Sequence, residues 1–255
     1  MLSADVVAAF PCLEQLRASV LSGQDIAARE ILRGGLEQAL PALGITRVGS
    51  LTELDRLGVP VWFAVRPESR SLCVSNGKGI TDDAAWISAV MESAEQALAE
   101  QAGRIVAVVD SPAGMARRGL PVVPLDRQSR CAVHRIDADQ ELAWVKGISW
   151  ATGHEIYAPF ELVGMDMASS APWNFGAFSV TSLGLASGAD FVRAIWHGLS
   201  ELVEDDAFFA PMTGRREAPI QESLLLSRQH QTLVGVLDSL AQNDVEARFV
   251  DLTDD

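Results

Sequence analysis

The sequence predicts an α/β (α+β) fold in a single domain spanning residues 1–255. Three observations lead there. Short apolar runs of strand length alternate irregularly with longer runs of helical period. Hydrophobic residues make up 48% of the chain, enough for a sizeable core. A unit of strand, glycine-bearing turn and long helix occurs twice. These set the expected sub-boundaries: N-terminal helices in 1–43, a first unit in 44–100, strands and loops in 101–176, and a second unit with a further helix and strand in 177–255.

Residues 4–43 read as two helices split near "LSGQD", with Asp25 an N-cap for the second. "ITRVGSL" reads as a strand and "LTELDRLG" as a helical turn closed by Gly58. "VPVWFAVRP" and "SLCVSNGKG" read as a hairpin through "PESR". The long helix "TDDAAWISAVMESAEQALAEQA" follows, with Thr81 as its cap and Asp82 and Asp83 at its positive end. "RIVAVVD" reads as a buried strand, and "SPAGMARRGLPVVPLDRQS", rich in Pro, Gly and Arg, as a mobile surface loop. "LAWVKGISWATGHEIYAPFELVGMD" reads as an antiparallel pair turning at "ATGH". Residues 177–188 repeat the strand-to-glycine pattern before the helix "ADFVRAIWHGLSELVEDDAFFA". A third helix over about 220–242 and a final strand "EARFVDLT" complete the reading.

The net charge of −14 argues against nonspecific binding of nucleic acid or anionic membranes, which requires a basic surface. Cys12, Cys73 and Cys131 are too widely spaced for a disulfide framework or a zinc motif. The N-terminus lacks the basic and apolar regions of a signal peptide, and no apolar run reaches bilayer-spanning length. A cytoplasmic location is the expectation.

Shifting the chain by 109 residues places Gly79 on Gly188, Ala85 on Ala194, Glu92 on Glu201 and Glu95 on Glu204. Each long helix thus carries E-x-x-E at the same place, which suggests two related units. Ser88, Glu92 and Glu95 share one face of the first helix. A lone E-x-x-E is ordinarily a solvated face. Four carboxylates brought together repel, and either protonate or bind divalent cations; oxygen-only ligands suit Mg²⁺. Lys78 in "NGKG" lacks the G-x-x-x-x-G-K-[ST] frame, so a P-loop is rejected. His134, His154, His197 and His230 show no metal-ligand spacing. His197, one turn before Glu201, is read as its hydrogen-bond partner.

The segments "GITRVGSLTELDRLGVPVWFAVRPESRSLCVSNGKG", "SAVMESAEQ", "LAWVKGISWATGHEIYAPFELV", "TSLGLASG" and "ELVEDDA", in this order and spacing, resemble the YcaO family over roughly residues 33–253. The resemblance implies an ATP-dependent enzyme that phosphorylates a backbone amide oxygen of a precursor peptide. An azoline results with Cys, Ser or Thr as nucleophile, and a thioamide with a sulfide source. Mg²⁺ neutralises the triphosphate in this chemistry. Carried over residue by residue, the metal ligands are Glu92, Glu95, Glu201 and Glu204, and the ATP-binding residues Ser88, Ser182, Lys78 and Arg33. A precursor peptide and a pathway partner protein are the implied partners, and a homodimer stays open.

Three positions depart from the family pattern. Gln96 and Asp205 stand where a basic residue usually follows each acidic pair, and Leu183 replaces the Asn of "TSNG". "FVDLTDD" also stops where family members usually run on. The alternatives are a short member that works with a partner chain, a truncated chain, and a degenerate scaffold that binds peptide or partner without catalysis.

Overall fold

The computed structural model describes residues 26–128, 136–168, 177–188, 190–209, 218–219, 231–247 and 250–251. Two compact units are present: Met1–Val65, Val74–Ser93 and Ala186–Asp255 form one, Arg66–Cys73 and Ala94–Leu185 the other. Their borders fall within a hairpin (65/66 and 73/74), within a helix (93/94) and after a turn (185/186). The first helix expected in 4–25 and the Asp25 cap lie outside the described residues.

In the first unit, α1 (Ile26–Ala39) precedes a three-stranded antiparallel sheet of β1 (Arg47–Ser50), β2 (Val61–Val65) and β3 (Val74–Lys78). The register sets Val48 opposite Ala64 and Trp62 opposite Gly77. These residues share one pleat face. Against it lies α2 (Asp82–Ala99), which contributes Trp86, Ala89 and Val90 to a core with Ile45 and Ala64. Leu36 of α1 and Leu40, just after it, close that core. Each large side chain so buried contributes about 2 kcal/mol.

The sheet and α2 meet at backbone distance. A Cβ on Gly77 would stand 2.0 Å from the Ala89 amide nitrogen and 2.4 Å from the Ala85 carbonyl oxygen. Thr81 caps α2 as expected, its Oγ1 accepting from the Ala84 amide at 3.2 Å. The other long helix, α5 (Phe191–Phe209), starts in the same way. Asp190 Oδ1 accepts from the Arg193 amide at 2.9 Å, and a Cβ on Gly188 would meet the Ala194 nitrogen at 2.5 Å. Gly79 makes the matching approach to the Ala85 nitrogen, at 2.6 Å. The likeness stops at these junctions. The strand expected in 177–188 is not formed; Ser182–Leu185 is instead a β-turn, with Gly184 at φ 81° and the Leu185 amide bonded to the Ser182 carbonyl at 2.9 Å.

In the second unit, β4 (Val106–Asp110), β5 (Leu142–Ile148) and β6 (Glu155–Pro159) form an antiparallel sheet. The hairpin at "ATGH" is as expected. β4 is half-buried rather than buried, alternating between its two faces. Short helix α3 (Ala102–Ile105) leads into it. The described part of the segment expected as a mobile loop, residues 111–128, is ordered. It opens with α4 (Pro112–Arg117), capped by Ser111 Oγ with Pro112 at the first helical position. It ends in a Schellman turn at Gly119, φ 65°, where the Leu120 amide reaches the Met115 carbonyl at 3.0 Å. Residues 121–123 then pair along β6 through Tyr157. Met115, Leu142, Trp144 and Tyr157 form the core.

A buried ion pair anchors this unit. Arg66 meets Glu100 at 2.5 Å, and the Ser69 and Ser71 hydroxyls each donate to Glu100 Oε1 at 2.6 Å. Arg70 makes a bidentate pair with buried Asp166, at 2.7 and 2.8 Å. α6 (Gln231–Gln242) belongs to the first unit and is tied to it by Ser239 Oγ, which donates to the Leu57 carbonyl at 2.7 Å. Strands β7 (Ala218–Pro219) and β8 (Val250–Asp251) form a two-residue ladder; β8 lies within the expected final strand, whose residues 248–249 and 252–253 lie outside the described residues.

Gly77→Ala should cost about 3 kcal/mol in urea denaturation, because helix backbone cannot yield to the new methyl. Gly34→Ala, in α1 with nothing within 4 Å of the added Cβ, should instead gain about 0.8 kcal/mol. Burial alone would raise the pKa of Glu100, but the hydrogen bonds from Arg66, Ser69 and Ser71 outweigh it and hold the carboxyl below the usual glutamate range. A depressed folded pKa contributes stability above the unfolded value, lost as pH falls through the folded one. Glu100→Gln should therefore cost about 3 kcal/mol at neutral pH and flatten the acid limb of a stability–pH profile.

Candidate functional site

On α2, the buried arc runs through Ala85, Ala89, Ser93 and Gln96, and continues to Glu100 just past its end. Ser88, Glu92 and Glu95 flank it, all half-buried. At 100° per residue they lie within about 60° of arc. The stripe is therefore at the margin of the core, where a carboxylate keeps access to solvent while one side is shielded.

α5 is built the opposite way from an ordinary surface helix. Its inward stripe is Ala194, Gly198, Glu201 and Asp205, spaced i, i+4, i+7 and i+11. Gly198 is buried and the other three are half-buried. Glu204 is exposed one turn beyond Glu201. The small residues permit close approach, and the acidic ones follow on the same line. Asp205, which the family pattern would replace by a base, shares the stripe with Glu201.

Ser182 is half-buried and opens the turn that precedes α5. Leu183 occupies its second position, its amide bonded to Thr181 Oγ1 at 3.2 Å. The expected His197–Glu201 bond is not made; His197 Nδ1 stands 3.4 Å from the Ser187 carbonyl oxygen. Arg33 is committed elsewhere than expected. Its guanidinium pairs with Asp83 and, at 3.2 Å, with Glu37, and lies 4.9 Å from the centre of the Trp86 ring. It joins α1 to the start of α2, and a triphosphate would have to displace two carboxylates to reach it. Lys78 is exposed at the end of β3 and lines an open groove of about 530 Å³ with Leu57, Val59, Pro60, Ile80 and Val236. Those apolar walls do not suit a triphosphate. Two contributors escaped the sequence reading: Asp83 as the holder of Arg33, and Asp190 as the cap of α5. Asp190 had a signal, since the 109-residue shift places it on Thr81.

Among the described residues, no three His, Cys, Asp or Glu side chains are gathered closely enough to hold a metal ion by themselves. The donor set nonetheless fits Mg²⁺: all its atoms are carboxylate oxygens, and this ion usually takes one or two carboxylates and completes its shell with water and phosphate oxygens.

Comparison with known proteins follows the same line. Residues 76–255 match the family described as YcaO cyclodehydratase, ATP- and Mg²⁺-binding. The chain belongs to the YcaO family. An uncharacterized protein of the tfuA 3′ region of Rhizobium leguminosarum bv. trifolii is 42% identical over 167 residues, 65% of this chain and 38% of that protein. The YcaO protein of Methanopyrus kandleri bound with AMPPCP and Mg²⁺ shares the fold at TM-score 0.56 and 24% identity, over 80% of this chain and 50% of that one. A heterocyclase in complex with substrate and cofactor does so at TM-score 0.64 and 20% identity, over 86% and 33%. The chain spans 38% to 54% of the length of the first two curated relatives it matches. Among the described residues no helix is long and apolar enough to cross a membrane.

Replacing Arg33 tests its assignment. Arg33→Ala should lower stability by about 1–2 kcal/mol in urea melts, through the lost ring contact and ion pairs. It should leave the affinity for Mg-ATP, measured by calorimetry, unchanged.

Proposed function

We propose that this chain takes part in modifying a ribosomally made precursor peptide by Mg-ATP-dependent activation of a backbone amide, giving an azoline or thioamide, together with a partner protein in the cytoplasm. The observation that carries the reading is the inward acidic stripe of α5. A helix that turns Glu201 and Asp205 toward its own unit and leaves its leucines outside has a use for those carboxylates. Glu92 and Glu95 at the margin of α2 supply the matching pair. Family membership supports the reading, and the position of the Rhizobium relative beside tfuA points to a neighbouring gene product as partner.

In this reading Glu92 and Glu95 of one helix and Glu201 and Glu204 of the other would each contribute carboxylate oxygens to bound Mg²⁺. Bound Mg²⁺ would neutralise the phosphate oxygens and draw electrons from the terminal phosphoryl group. Ser88 and Ser182 orient the nucleotide by donating hydroxyl hydrogens to phosphate oxygens. The half-buried setting of Glu92 and Glu201 limits competing water. Lys78 and Arg33 have smaller parts than the family resemblance implies, because one borders an apolar groove and the other is paired.

A second reading is a silent scaffold that presents the peptide or stabilises the partner. Asp205 favours it, since a carboxylate on the inward stripe repels phosphate where a base would attract it. Calorimetry separates the two. The proposal expects saturable ATP binding that requires Mg²⁺ and weakens about 10-fold or more in Glu92→Gln with Glu201→Gln, at least about 1.4 kcal/mol. The same double variant should melt higher than the parent without metal, because two like charges are removed. Absent or Mg²⁺-independent binding would leave the scaffold standing, and a lower metal-free melting temperature would count against clustered carboxylates.

A further inference from the structure

The sheet of the first unit has the order β1-β2-β3, and among the described residues no strand lies beyond β3. Two bonds at its ends set the parity of the β2–β3 ladder. The Gly79 amide bonds to the Pro60 carbonyl at 3.2 Å, and the Arg66 amide to the Cys73 carbonyl at 2.8 Å. Bonded and open pairs alternate in an antiparallel ladder. Trp62 with Gly77 and Ala64 with Ser75 are therefore bonded pairs; Val61 with Lys78, Phe63 with Asn76 and Val65 with Val74 are open ones. The backbone N–H and C=O groups of Val74, Asn76 and Lys78 thus point away from β2, along the outer edge. The side chains of all three are exposed. β3 carries no Pro and no register shift to spoil that edge, and Lys78 is its one charge.

The groove beside Lys78 continues the edge. Ile80, two residues on, lines it and is 59% exposed. Leu57, Val59 and Val236 supply further apolar wall, and Lys78 is the one charged lining residue. Lys78 has no carboxylate partner among the described residues, although the chain holds 34 acidic against 20 basic residues. Gly235 keeps the α6 side of the groove open. Inside a helix a glycine costs about 1 kcal/mol relative to alanine. Neither backbone nor packing asks for it here: its φ is not positive, and a Cβ would meet nothing within 4 Å.

We propose that β3 and this groove together dock an extended segment of another polypeptide, which adds as a further strand outside β3. A carboxylate side chain of that segment pairs with Lys78, and an aliphatic side chain two residues away enters the groove. The spacing follows from the pleat, in which side chains two apart share a face, as Lys78 and Ile80 share the groove. Main-chain bonds to Val74, Asn76 and Lys78 supply affinity; the groove and the ammonium group supply selection. The apolar wall disfavours a small anion as occupant. The row of backbone groups favours a peptide over an aliphatic acid, which has no amides to offer them. Docking needs neither nucleotide nor metal, so it stands or falls separately from the proposed activity.

Fluorescence anisotropy on the full chain, without ATP or Mg²⁺, tests it. The probe is a labelled, end-blocked synthetic peptide of about ten residues, about 33 Å when extended, with Glu-Thr-Leu at its centre. Binding should saturate with a dissociation constant below about 1 mM. Methylating the alternate peptide nitrogens that face β3 should weaken it about 10-fold, and methylating the intervening ones should not. Lysine in place of the peptide's glutamate should weaken binding about 10-fold, and Lys78→Glu should restore it for the lysine peptide. Gly235→Leu, which fills the groove, should weaken binding about 10-fold with an unchanged far-ultraviolet circular dichroism spectrum. Leu54→Lys, at an exposed leucine elsewhere, should bind as the parent does. Should a variant fail to fold, the peptide series reads the same geometry on the parent chain. No binding at about 1 mM, equal effects of the two methylation patterns, or indifference to the peptide's charge and to Gly235→Leu would overturn the proposal.

Discussion

The first unit depends on how closely β3 and α2 approach each other. With Gly77 against the backbone of Ala85 and Ala89, the helix lies on the sheet without an intervening layer of side chains. Hydrogen is the one substituent that fits. That contact fixes the rotation of α2 about its own axis. Once Ala85 and Ala89 face the strand, Trp86 and Val90 must enter the core, and Ser88 and Glu92 must fall at its margin. The placing of the acidic stripe is thus a consequence of one residue on a neighbouring strand.

α5 obeys the same rule with a different outcome. Gly188 presses on its first turn and Gly198 is buried in its middle, so small residues again decide which side faces inward. The side so chosen is acidic, while among the described residues Phe191, Trp196, Leu199, Leu202, Val203 and Phe209 are exposed. Turning charge inward and leucine outward costs solvation on one side and hydrophobic burial on the other. A fold keeps such an arrangement when both sides have a use.

Much of the architecture was legible in local signals. Thr81, the turn at Gly58 and the long periodic runs each announce an element without reference to the rest of the chain. α4 was missed because six residues are too few to display a helical period, and its Pro and Arg content reads as loop. The sharper clue was the pair of end signals, Ser-Pro before it and Arg-Gly-Leu after it. The strand expected in 177–188 failed because Gly184 and Thr181 form a turn that turns the backbone back on itself. At the candidate site, residue chemistry was readable but commitment was not. Nothing in the sequence near Arg33 announces Asp83, fifty positions away, as the group that occupies it. Likewise the walls around Lys78 come from three separate segments.

The connection between β2 and β3, residues 66–73, is fastened three times. The Arg66 amide bonds to the Cys73 carbonyl across its base, Glu100 gathers Arg66, Ser69 and Ser71, and Asp166 grips Arg70. A polar, charged hairpin tip is usually the first place a protease cuts, because cleavage needs several residues to open into an extended strand. Here opening would strand two buried carboxylates, so trypsin should find Arg70 late, only after the surrounding unit has come apart.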